Sequence, residues 1–92
     1  MTELVRIRRF KKLGPYRLKL WFTDGQAGEW AFSELAGERG PMVEPFKDPA
    51  VFDRAFLEFG ALTWPNGFDW PPDALHADMA GAGALSVEAV PA

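Results

Sequence analysis

The sequence predicts an α+β fold: an antiparallel β-meander of three strands plus a return strand, packed with short helices in a single small domain. Three observations carry this expectation. Tyr16, Leu18, Leu20 and Phe22 alternate with Arg17, Lys19 and Trp21 at a period of two, as a half-buried strand requires. Asp24-Gly25 follows immediately, a dipeptide suited to the positive φ values of a type I′ hairpin turn. Asp48-Pro49 then offers an N-cap and a first helical residue ahead of Val51, Phe52, Ala55 and Phe56, which recur on one helical face.

Taken in order, Val5 and Ile7 alternate with Arg6 and Arg8, but Phe10 falls one residue out of phase. A bulge near Arg8-Arg9 restores the register of this first strand. Gly14-Pro15 breaks it, and the strand from Tyr16 to Phe22 follows. Residues 26 to 32 return with Gly28, Trp30 and Phe32 alternating against Ala27, Glu29 and Ala31. Ser33 is placed to cap a short turn through Glu34-Leu35-Ala36 before Gly37 and Gly40-Pro41 end it. The helix is expected over 49 to 56, an extended return strand over 57 to 64, and a turn at Pro65-Asn66-Gly67. Pro71-Pro72-Asp73-Ala74-Leu75-His76 starts a last short helix. The domain is thus read as residues 1 to 78, and the Gly- and Ala-rich residues 79 to 92 as a flexible tail. Tyr16, Leu18, Leu20, Phe22, Phe52, Phe56 and Trp64 are the expected core.

With 92 residues, the chain has room for one core and must rely on large side chains, which its 8 Phe and 4 Trp supply. The absence of Cys excludes disulfides and thiolate chemistry and fits a reducing cytoplasm. Met1 to Arg6 alternate charged and apolar residues, so this stretch reads as neither a signal peptide nor a membrane span. Charge is divided unevenly: residues 1 to 20 carry a net +6 and residues 21 to 92 a net −9, so folding is expected to bring opposite charges together.

Two stretches carry a family resemblance: Leu18-Lys19-Leu20-Trp21-Phe22-Thr23-Asp24-Gly25, and the run from Gly60 to Leu75 that contains Trp64-Pro65-Asn66-Gly67-Phe68-Asp69 and Pro72-Asp73-Ala74-Leu75. Together with Phe46-Lys47-Asp48-Pro49 they resemble the bacterial domain-of-unknown-function 2442 family, over about residues 3 to 77. Ala31-Phe32-Ser33 departs from the pattern by lacking its usual Asp, and the segment from Asp53 to Gly60 is shorter than usual. The resemblance implies a small α+β fold with an antiparallel sheet and short helices, and no established activity. It also implies a companion, since some members are encoded beside a second small protein in arrangements similar to toxin-antitoxin pairs. Some members carry a C-terminal helix-turn-helix; the last residues here are too few and too rich in Gly and Ala for one.

For catalysis the inventory is thin: one His, Ser33 and Ser86, and no Cys. Ser33 sits where a helix cap belongs, so no catalytic residue is assigned. Asp69, Asp73 and His76 include an i, i+3 pair that could share a metal, but Asp69 after a turn and Asp73 at a helix start have ordinary structural roles. No metal and no cofactor are expected. Basic N-terminal strands interleaved with Phe10, Tyr16 and Trp21 suggest nucleic acid, while the acidic remainder and pI of 5.0 oppose it. The sharper candidate is the strand face of Arg17, Lys19 and Trp21. Either the chain's own helix covers it, with the basic stems lying over apolar surface, or Trp21 framed by cations anchors another protein. Asp24, Gly25, Trp64, Pro65, Asn66, Gly67 and Asp69 are read as structural. The expected function is a non-enzymatic protein-binding module, the accessory or neutralising partner of a second small protein; the alternative is a nucleic-acid-binding accessory domain. No membrane is expected as a partner.

Overall fold

The computed structural model describes residues 5–33, 40 and 43–91. Strands β1 (Ile7–Gly14), β2 (Arg17–Phe22) and β3 (Gln26–Ala31) form the expected antiparallel meander. On β2 the alternation does its work: Leu18, Leu20 and Phe22 are buried, and Arg17 is exposed. The bulge falls where phase required it, between Ile7, which pairs with Phe22, and Arg9, which pairs with Trp21. A second irregularity lies between Lys12 and Gly14.

The β2–β3 turn has a different type from the one expected. Only Gly25 has positive φ, +86°, and its N–H donates to the Phe22 carbonyl at 3.2 Å. This is the three-residue pattern in which a left-handed Gly follows an ordinary turn, so Asp24 keeps negative φ and frees its carboxylate for other bonds. The turn through Ser33 to Ala36 lies largely outside the described residues.

After a 3₁₀ turn at Glu44–Lys47, helix α1 spans only Pro49–Phe52. Asp48 caps it as expected, accepting from the Ala50 N–H at 2.9 Å. It stops because the next bonds tighten: Arg54 donates to Val51 and Ala55 to Phe52, both at 3.2 Å across three residues. The Trp64 indole also takes the Phe52 carbonyl at 2.9 Å, fixing that end. One turn of Val and Phe has no propensity of its own to continue. Phe56, expected on this helix and in the core, therefore lies on the following strand with 41% of its surface exposed.

The single return strand is instead a hairpin. Strands β4 (Phe56–Glu58) and β5 (Ala61–Thr63) pair around Phe59-Gly60, and β6 (Asp69–Trp70) completes a second antiparallel sheet in the order β4-β5-β6. Helix α2 (Pro72–Gly81) begins where the proline pair placed it and buries Leu75 and Met79, four residues apart on one face. The core joins these layers through Leu18, Leu20, Phe22, Phe32, Phe46, Phe52, Leu62, Trp64, Leu75 and Met79. Phe32 bridges the two sheets, meeting Trp70 edge-on at 5.2 Å. Tyr16 is partly buried: its hydroxyl donates to the Phe46 carbonyl, and burial, reinforced by Asp48 and Asp53, pushes its pKa above the usual 10.0.

The segment expected to be a flexible tail carries structure. Met79, Ala80 and Gly81 finish α2, and β7 (Ser86–Val87) joins the edge of β3, giving the order β1-β2-β3-β7. Gln26 pairs with Val87 and Ala27 with Ser86. The segment lacks hydrophobic periodicity because backbone pairing, the Glu88 carboxylate and a single pair of apolar contacts, Ala84 and Leu85, hold it. Opposite charges do meet on folding: Lys12 pairs with Asp53 at 2.6 Å, Arg17 with Glu29 at 3.0 Å and Lys19 with Glu88 at 2.8 Å. These pairs are partly exposed, so solvent screening leaves each only a small contribution to stability.

Candidate functional site

Arg17, Lys19 and Trp21 do share one strand face, but Trp21 is only 3% exposed, because the chain's own C-terminal segment lies there rather than a helix. The Glu88 carboxylate receives the Trp21 indole N–H at 2.9 Å and the Lys19 ammonium at 2.8 Å. Lys19 also stands 5.1 Å from the Trp21 ring centre, a cation–π distance. The hydrogen bond from Lys19, then that from Trp21, holds the Glu88 carboxyl below its ordinary value of 4.5. A depressed folded value means that the stabilisation is present above pH 4.5 and is lost as the pH falls through the lower folded value. The Trp21 indole proton signal should therefore shift to a solvent-exposed position on acidification below that range. In Glu88→Gln this pH dependence should disappear.

The motif residues divide between support and surface. Asp24 uses both oxygens: Oδ1 accepts from the Gln26 N–H at 3.0 Å, and Oδ2 meets His76 Nε2 at 2.7 Å, stapling the β2–β3 turn to α2. His76 also stands edge-on to Phe22 at 4.9 Å. Trp64 is buried among Phe46, Phe52 and Phe68, with centroid distances of 5.1, 5.6 and 5.7 Å. Its N–H donates to the Phe68 carbonyl and its carbonyl accepts from the Gly67 N–H, both at 2.9 Å. Asn66 Oδ1 accepts from the Phe68 N–H at 3.1 Å, and Gly67 has φ of +89°. Pro65 is exposed at the head of this turn. Asp69 is exposed on β6 and lines an open cleft with Asp73, while His76 is engaged by Asp24. Among the described residues no group of three or more His, Cys, Asp or Glu is arranged to hold a metal ion.

That cleft, of about 570 Å³, is bounded by Arg6, Glu58, Phe59, Thr63, Asp69 and Asp73. Phe59 stands at its rim with 84% of its surface in solvent. Its φ is +52° and that of Gly60 is +79°, so both central residues of the β4–β5 turn have the sign of a type I′ turn. Arg6 holds this loop, donating its guanidinium N–H to the Phe59 carbonyl at 3.2 Å, and the Ile7 N–H reaches the Gly60 carbonyl at 2.8 Å. A large side chain at positive φ costs about 1–2 kcal/mol, and the first position of such a turn normally holds Asn, Asp or Gly. Phe59 escapes a reading of the sequence that takes residues 57 to 64 as one strand. Treating Gly60 as the second residue of a hairpin turn would have found it.

No described helix is long and apolar enough to cross a membrane. No curated protein and no solved structure matches the chain. Residues 7–79 match the family model described as Protein of unknown function (DUF2442). That span includes the meander, the Trp-Pro-Asn-Gly turn and most of α2, so the chain belongs to the DUF2442 family.

Proposed function

We infer that the chain is a non-enzymatic protein-binding module of the cytoplasm, the accessory or neutralising half of a two-protein bacterial system, with Phe59 as its contact anchor. The observation that supports this reading is the placement of a phenylalanine, rather than Asn or Gly, on a left-handed turn residue facing solvent beside a cleft. Stability disfavours that choice, and strain of this kind concentrates at functional positions. Buried on association, such an aromatic is the kind of residue that dominates an interface. Catalysis has less to rest on, since the chain offers one His, two Ser and no Cys. Nucleic acid binding through the basic strands is also less supported, since Lys12, Arg17 and Lys19 each pair with an acid of the same chain.

Phe59→Asn separates the two terms. It relieves the turn, so the thermal midpoint is expected to rise, by an amount corresponding to roughly 1 kcal/mol. It removes the anchor, so capture of the co-expressed product of the adjacent gene by the tagged chain should fall by at least about tenfold in affinity. A lower midpoint with unchanged capture would assign Phe59 a structural role and withdraw the reading.

A further inference from the structure

The outer face of the first sheet is basic. Residues directly opposite across a strand pair share a face, so Arg9 and Lys11 on β1 lie beside Trp21 and Lys19 on β2. Arg17 belongs to the same set. Against these cations stand Glu29, paired with Arg17, and Glu88, paired with Lys19. Among the described residues Lys11 has no ion pair, and the Arg9 guanidinium donates to the Pro91 carbonyl at 3.0 Å.

What occupies this face is an extended segment with one carboxylate, attached by a short stretch of strand pairing and by Leu85 packed against the core. Strand β7 pairs with two of the six residues of β3, leaving the outer edge from Gly28 to Ala31 without a strand partner among the described residues. One further backbone bond, from the Glu88 N–H to the Gly25 carbonyl at 3.0 Å, continues the pairing. Val87 is 86% exposed, and an open cleft of about 370 Å³ beside the segment is lined by Lys19, Gly28, Glu29, Ala84 and Glu88. The Glu88 contacts with Lys19 and Trp21 are the specific part of the attachment.

We propose that the outer edge of β3, with Lys19 and Trp21, is an acceptor for an acidic extended segment of a partner protein, and that residues 85–88 are a resident ligand which that segment displaces. Strand addition supplies the affinity and the carboxylate on Lys19 and Trp21 supplies the selectivity. A longer incoming strand extends the ladder past Ala27, where the resident strand stops, and its acids meet Arg9, Lys11 and Arg17. While the resident segment is seated, the groove is free for only a fraction of the time, and apparent affinity falls by that fraction. This proposal rests on the reading of the chain as a protein-binding module but not on Phe59.

Gly28 gives the means to test it. A Cβ at this position would stand 2.0 Å from the Ala84 carbonyl oxygen and 3.1 Å from the Met79 methyl, so Gly28→Ala must shift Ala84, which leads into the segment, and strains the core at Met79 as well. Glu88→Lys unseats the segment independently, by setting two ammonium groups against each other. The probe is a labelled peptide of residues 85–91, which starts after Ala84 and so avoids the Gly28→Ala clash, titrated against the full-length protein by fluorescence anisotropy. Binding should be weak in the wild type and at least about tenfold tighter in both variants. Lys19→Glu should lose it, and a probe carrying Lys in place of the glutamate should restore binding to Lys19→Glu. Phe59→Asn should leave all of these titrations unchanged, so a failure here is distinguishable from failure of the Phe59 reading. Folded Gly28→Ala and Glu88→Lys proteins that bind the probe no better than wild type would overturn the proposal, as would binding indifferent to Lys19→Glu. A single-stranded oligonucleotide that displaces the segment from the wild type, with affinity falling steeply in salt, would overturn it in favour of a polyanion face.

Discussion

Trp64→Ala is expected to bring the protein to the margin of stability at 25 °C. The side chain is buried to 1% exposure and contacts three aromatic rings, so its loss removes the transfer energy and opens a cavity between the second sheet, α1 and the 3₁₀ turn. Truncations of this kind cost about 3–5 kcal/mol, against a total stability of about 5–15 kcal/mol for domains in general. A 92-residue chain without disulfides belongs at the lower end of that range. Trp64→Phe separates packing from hydrogen bonding. It keeps a ring but removes the N–H that reaches the Phe52 carbonyl, which still accepts from Ala55 at 3.2 Å. The carbonyl is not orphaned, so the bond term lost is only about 1 kcal/mol. Urea denaturation of the three proteins would show this ordering; a Trp64→Ala midpoint close to wild type would mean that the core is centred elsewhere.

Gly67→Val is expected to cost about 1–3 kcal/mol. Its φ of +89° is a conformation that a β-branched residue resists, and the turn it closes carries the reciprocal bonds between Trp64 and residues 67 and 68. For a domain of this size the midpoint should fall by roughly 4–8 °C for each kcal/mol. Gly67→Asn, which tolerates left-handed backbone better, should cost less. An unchanged melt for the valine variant would mean that the turn is kept for an external contact, because its backbone would not then be supporting the fold.

Much of the fold was legible because its signals are local. A period of two over Tyr16 to Phe22 specified the buried face of β2, and the phase slip after Ile7 located the bulge, since one misplaced residue would turn every later side chain to the wrong face. Asp48-Pro49 and Pro71-Pro72 marked two helix starts for the same reason: a cap and a fixed φ act within a single turn. Helix length was not local. Nothing in the spacing of Val51, Phe52, Ala55 and Phe56 reveals that Trp64 will take the Phe52 carbonyl and end α1 there.

Non-local effects also explain the candidate site. The Arg17, Lys19 and Trp21 face was readable from alternation, but its cover depends on Glu88, which lies 67 residues from Trp21 in a stretch without periodicity. Composition made that stretch resemble a tail. Phe59 was obscured by turn chemistry, because Phe-Gly is an uncommon occupant of a turn that favours Asn-Gly or Asp-Gly. Where the sequence prefers a costly residue to a cheap one, local rules mislead, and such positions are the ones where function is expected to override stability.

The most direct test of the protein-binding reading is a calorimetric titration of the adjacent gene's product into the wild-type chain and into Phe59→Asn, with a single-stranded oligonucleotide titrated in parallel. The account predicts saturable binding of the protein by the wild type, an affinity at least about tenfold weaker for Phe59→Asn, and no comparable binding of the oligonucleotide. Equal affinities for the two chains, or oligonucleotide binding that weakens steeply with salt while the protein produces no heat, would contradict it.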